Sequence, residues 1–140
     1  MINMVVDAVT GSVPVTLLRL EGELDASNYE TLSEKAQSLH RSGTRNLLLD
    51  LEKLSFVSSA GLVGIHSIAL IMRGESLDNS QEGWHAFHAI SQDLKKASGQ
   101  EQHFKLLKPQ PLVKKVLDTA GFTKVMSVFD DEETAVASFG

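Results

Sequence analysis

The chain contains no cysteine, so no disulfide braces the fold and no thiolate can act as nucleophile or metal ligand. That absence fits a reducing compartment. Basic residues are outnumbered: 13 Lys and Arg stand against 18 Asp and Glu, a formal net charge of -5. An acidic balance disfavours the phosphate backbone of nucleic acid and the surface of an anionic membrane as partners. No run of basic residues interleaved with aromatics suggests RNA binding. The longest apolar stretch, Gly61 to Met72, is interrupted by His66 and Ser67 and is too short to span a bilayer. The opening residues MINMVVDAVT lack the charged start and long apolar core of a signal peptide, which leads us to expect a cytoplasmic protein.

Motifs of common enzymes are also missing. There is no GxxxxGK[ST] and no GxGxxG to cradle phosphates. No G-x-S-x-G elbow is present. Of the five histidines, His85 and His88 are three apart and would share a helix face, but no HExxH accompanies them. We therefore expect no metal and no cofactor. Ser58 or Ser59 with His66 and an Asp is the arrangement that hints at a serine hydrolase, with Ser59 and His66 as its core, and His66 lies in the same expected helix as the turn. The acidic run Asp130 to Glu133 suits the positive end of a helix better than acid–base work. Asp50, after a central apolar run, either faces a site at the carboxyl edge of a sheet or caps a turn.

What the chain has is a regular alternation of apolar patterns. With 140 residues and 42% hydrophobic content, it suits one domain with one core, spanning 1–140. Met4 to Val9 and Val13 to Leu20 flank Thr10-Gly11-Ser12 and read as a hairpin that Gly22 ends. Ser27 and Glu30 have capping-box spacing before the helical series Tyr29, Leu32, Ala36 and Leu39, and Gly43 lies past its end. Leu47 to Leu51 is a near-continuous apolar strand, expected at a sheet centre covered on both faces. Leu62, Ile65, Ala69 and Met72 mark a second helix. The polar segment ESLDNSQEG, Glu75 to Gly83, reads as a loop. Trp84, Phe87, Ile90, Leu94 and Ala97 then follow at helical spacing. Phe104 to Leu107 and Val125 to Phe129 read as strands around a helix that starts near Pro111, and Asp130 or Asp131 caps a last short helix. Strands alternating with helices predict an α/β fold: a small, largely parallel mixed sheet flanked by helices, with the N-terminal strand antiparallel.

The most informative residues are SFVSSAGLVG, Ser55 to Gly64, where a strand passes through a turn into a helix. A serine there can be a helix cap or an exposed site for a phosphate, and the residues alone leave both open.

Three segments resemble the STAS domain family, in particular the bacterial anti-sigma factor antagonists. They are GELDASNYETL (Gly22 to Leu32), LLLDLEKLSFVSSAGLVGI (Leu47 to Ile65) and the tail from Leu107 to Phe139. Their order and spacing carry the resemblance, which excludes roughly Glu75 to Phe87. It implies a non-catalytic signalling protein. In antagonist-type members an anti-sigma-type serine kinase phosphorylates a serine at the turn before the second helix. A PP2C-type phosphatase removes the phosphate, and the unphosphorylated form binds the kinase. The phospho-acceptor position falls on Ser59. Ser58 stands where the family often has Asp, Ala60 where Ser or Thr is common, and Gly61 matches the family glycine. The resemblance implies a partner-binding surface of Asp25, Ser58, Ser59, Ala60, Gly61 and Leu62. The alternative within the family is an unphosphorylated scaffold or small-ligand module. The region 75–98 is longer than the family norm; Trp84 and Phe87 there serve core packing or a secondary interface, including a homodimer contact.

Overall fold

The computed structural model describes residues 2–74 and 101–139. The expected helical stripe of Trp84 and Phe87, and the histidines His85 and His88, lie outside the described residues.

Among the described residues five strands form one sheet in sequential order. β1 (Ile2–Thr10) and β2 (Pro14–Leu24) make the antiparallel hairpin. β3 (Leu47–Val57), β4 (Phe104–Leu107) and β5 (Val128–Phe129) add to it in parallel. The helices are α1 (Tyr29–Arg41), α2 (Ser59–Met72), α3 (Pro111–Thr119) and α4 (Glu132–Ala137). The mixed α/β architecture anticipated from the alternating patterns is the one observed.

The leucine run of β3 explains how the layers assemble. Successive strand residues point to opposite faces. Leu47, Leu49 and Leu51 join Leu18, Leu20, Phe104 and Leu106 beneath α1, α2 and α3, which contribute Leu32, Ile65, Ile68, Val113 and Leu117. Leu48 turns the other way, with Val15, Leu17 and Leu107, against Ala135 and Val136 of α4. A central strand covered on both sides has no wet face, so its residues need not alternate.

Three local expectations are corrected. Gly22 does not end β2. It adopts φ 112° at a register shift, and the strand continues to Leu24. A bulge of this kind uses glycine because a side chain is rarely tolerated at that φ. The last strand is Val128–Phe129 rather than Val125 to Phe129: Phe122–Lys124 form a 3-10 turn, and Val125 and Met126 are buried in the core below it. Ser27 and Glu30 do not form a capping box; α1 starts at Tyr29 after Asn28, and Ser27 is used elsewhere.

Candidate functional site: the start of the second helix

β3 runs beyond Asp50 to Val57 and delivers the chain to the carboxyl edge of the parallel strands. There the backbone must change from extended to helical. Ser58 makes that change with φ -89° and ψ 177°. Its N–H donates to the Leu24 carbonyl at 2.9 Å, which ties the turn to the end of β2. Its Oγ accepts the N–H of Gly61 at 3.1 Å, which caps α2. Capping by a serine oxygen satisfies one of the donors that every helix start leaves open.

Ser59 occupies the first helical position and is exposed. Of the two neighbouring serines, Ser58 is the one that caps α2, and Ser59 is an exposed residue. The first turn of α2 holds no acidic side chain. The side chain that caps its open N–H groups is the neutral Ser58 hydroxyl.

Gly61 sets how closely this turn can approach β2. A Cβ at Gly61 would lie 2.7 Å from the Leu24 carbonyl oxygen and 2.7 Å from Cγ2 of Val57. No side chain fits between these groups without backbone movement. One turn later, a Cβ at Gly64 would meet Tyr29 at 3.2 Å, so α2 and the first residue of α1 also pack with little space between them. Ser67 adds a polar tie here, donating to the Gly64 carbonyl at 2.6 Å and lying 2.5 Å from the Ser33 hydroxyl. Leu62 is buried in the core, whereas Ala60 is half-buried.

Asp25 follows Leu24, the residue that receives Ser58. One carboxylate oxygen accepts both the N–H of Ser27 at 2.9 Å and its hydroxyl at 2.5 Å. These bonds hold the Asp25 carboxyl below the usual carboxylate range, the Ser27 hydroxyl first and its N–H second. Asn28, which the sequence reading passed over, secures the same loop. It is 7% exposed, accepts the Asp25 N–H at 2.9 Å and donates to the Glu23 carbonyl at 2.8 Å. The signal was present in Asp25-Ala26-Ser27-Asn28, because Asp and Asn side chains close turns onto backbone a few residues away. The structure thus brings Asp25, Ser58, Ser59, Ala60 and Gly61 to one edge of the sheet, with Leu62 as their anchor in the core.

Two other candidates are placed elsewhere. Asp50 does not follow β3 but lies within it, level with the last residues of β4 and β5 while β3 continues to Val57. It is 7% exposed, faces the α4 side, lies 3.4 Å from Nε of Arg19 and accepts the Glu52 N–H at 3.0 Å. Arg19 also pairs with Asp7 and, at 3.6 Å, with Glu132, so Asp50 belongs to a charge cluster that joins β1, β2, β3 and α4. His66 is 6% exposed, with its ring 6.5 Å from that of Phe122. Seven residues along a helix is roughly 10 Å, so His66 is no neighbour of the Ser59 hydroxyl. Asp131 rather than Asp130 caps α4, accepting the Thr134 N–H at 2.9 Å. Among the described residues no group of His, Asp and Glu is arranged to hold a metal ion, and no helix is long and apolar enough to cross a membrane.

Comparison with known proteins agrees with this geometry. The STAS domain family model matches residues 6–73, from the second half of β1 through β2, α1, β3 and α2. BtrV of Bordetella bronchiseptica, which bears the name of an anti-sigma factor antagonist, is 25% identical over 120 residues, covering 86% of this chain and 82% of BtrV. A crystal structure of an anti-sigma factor antagonist from Mycobacterium paratuberculosis has the same fold, with a TM-score of 0.68 at 16% identity over 99% of this chain and 94% of that one. The Bacillus protein SpoIIAA, solved in its phosphorylated form, superposes with a TM-score of 0.55 at 23% identity over 96% of both chains. Its unphosphorylated form gives 0.52 at 21% identity, over 95% of this chain and 93% of SpoIIAA. Motif order, family match and fold coincide: residues 6–73 form a STAS domain, and the relative and the structural neighbours bear the name of anti-sigma factor antagonists.

Proposed function

We propose that this protein is a signalling component that acts by binding, and that phosphorylation of Ser59 switches its binding off. The partner is an anti-sigma-type serine kinase, and a PP2C-type phosphatase resets the site. The observation that carries this reading is the division of labour between adjacent serines: Ser58 caps α2, and exposed Ser59 is free of that task.

A phosphate on Ser59 would add roughly -1.5 to -2 charges. The fold tolerates that charge, since the helix start is positive and lacks an acidic side chain. A docked partner does not tolerate it as easily. Burying the phosphate in an interface means removing its water, and the fixed carboxylate of Asp25 beside the turn adds negative charge to the same edge. The interface is thereby blocked while the domain stays folded. Gly61 and the Asn28 loop serve this switch by holding the surface rigid in both states. The relation to SpoIIAA, solved with and without phosphate, supports a two-state reading.

Incubation with ATP and each GHKL-type serine kinase of the source genome, followed by mass spectrometry, tests the proposal. Phosphate is expected on Ser59, absent in Ser59→Ala and retained in Ser58→Ala. The phosphorylated protein should lose kinase binding. Phosphate on Ser58, or neither modification nor binding by any such kinase, overturns the reading.

A further inference from the structure

We propose that the outer edge of β1 pairs antiparallel with the same edge of a second copy of this chain, about a twofold axis at Val5.

The two edges of the sheet are built differently. β5 has only 2 residues and offers little to pair with. β1 has 9, and its register against β2 is continuous from Ile2↔Gly22 to Thr10↔Pro14. Natural edge strands are usually blunted by lysine, proline, a bulge or a covering segment. β1, INMVVDAVT, contains no lysine, arginine or proline and no bulge. Its one charge, Asp7, is paired with Arg19 of β2. Val5 and Val6 point to opposite faces of the strand and are 36% and 38% exposed, two of the four exposed large hydrophobic residues among the described residues.

The sequence of β1 is self-complementary in one register. An axis at Val5 sets Val5 opposite its own copy, Met4 opposite Val6, Ile2 opposite Ala8 and Asn3 opposite Asp7. From Ile2 to Ala8 every apolar residue then meets an apolar one, and the Asn3 amide, which also donates to Glu21 at 3.3 Å, can donate its second N–H to a carboxylate that the Arg19 pair leaves 47% exposed. Moving the axis to Met4 puts Asn3 opposite Val5. Moving it to Val6 puts Asp7 opposite Val5 and Asn3 opposite Val9. Both alternatives set a polar residue against an apolar one. The surface involved is remote in function from Ser59 and does not depend on that site.

Sedimentation velocity across a concentration series tests the pairing. A monomer–dimer equilibrium is expected, strengthened by added salt because each copy carries a net charge of -5. Val5→Lys sets like charges opposite each other at the axis and should weaken association by about tenfold or more while the circular dichroism spectrum is kept. The cysteine-free chain permits a register test. On air oxidation, Val5→Cys should form a disulfide-linked dimer, and Val6→Cys, two positions out of line with its copy, should do so far more slowly. A monomer at every concentration and salt level overturns the proposal. Cross-linking of Val6→Cys as fast as Val5→Cys overturns it too.

Discussion

The starts of α2 and α4 solve one structural problem in two ways. Each helix follows a strand of the parallel sheet, and each is capped by a side-chain oxygen that accepts an N–H three residues on: Ser58 from Gly61, Asp131 from Thr134. At α4 the cap is a carboxylate, and Glu132 and Glu133 follow it in the first turn. The positive end of that helix is already compensated. At α2 the cap is a neutral hydroxyl and no acid follows. That start keeps its electrostatic capacity for negative charge and puts an exposed serine where the charge would arrive. Under the proposed function the contrast has a reason: a helix start that serves stability alone fills itself with carboxylates, whereas one that is to receive a phosphate leaves the place empty.

The largest effect should come from breaking the close packing of the start of α2 on the end of β2. Gly61→Ala puts a methyl group 2.7 Å from a backbone carbonyl and from Val57. Neither neighbour is the free end of a flexible side chain. We expect a loss of about 1–3 kcal/mol, measured by urea denaturation. Gly64→Ala, whose Cβ would meet Tyr29 at 3.2 Å, should cost less. If Gly61→Ala is as stable as the parent, the turn is not held against β2 in the way described.

Adjacent serines should then behave unequally. Ser58→Ala removes the cap and should cost about 1 kcal/mol. Ser59→Ala removes an exposed hydroxyl that caps nothing and should stay within about 0.5 kcal/mol of the parent. Equal losses would mean that Ser59 shares the structural task, and the contrast between structural and signalling serine would fail.

How much of this the sequence disclosed follows from how local each feature is. The strands and helices were legible because Leu47 to Leu51 and the spaced apolar residues of α1 and α2 carry their own periodicity. The SSAG turn was legible as a join between elements. Which serine caps was not, since Ser58 and Ser59 are chemically alike and only backbone angles separate them. Asp50 was misplaced because the polar residues Glu52, Lys53 and Ser55 hid the continuation of β3, whose far half has exposed positions. Asn28 was overlooked because its partners, Glu23 and Asp25, form a loop that no periodicity marks. The Arg19 cluster draws Asp7, Asp50 and Glu132 from distant parts of the chain, and pairing of that kind appears only once the sheet is assembled.

The smallest effect, and the one that sharpens the comparison most, is in the acid limb of stability. The Thr134 N–H and hydroxyl bond the ionised form of Asp131 and hold its carboxyl below the usual carboxylate range. A carboxyl lowered on folding stabilises the native state fully above its unfolded pKa. That contribution is lost as pH falls through the native value. Asp131→Asn should therefore shallow the decline of stability below the usual carboxylate range, leaving the slope that Asp25, lowered by Ser27, still supplies. Ser58 has no charge to lose, so Ser58→Ala should shift the whole curve downward without changing its acid slope. Ser58→Asp would give α2 the kind of start that α4 has: a steeper acid limb, and a fixed negative charge beside Ser59. Thermal denaturation of these variants across a series of acidic buffers measures each slope. An acid limb for Ser58→Asp no steeper than the parent's would mean that the start of α2 has no room for negative charge, and the electrostatic basis for a phosphate there would be lost.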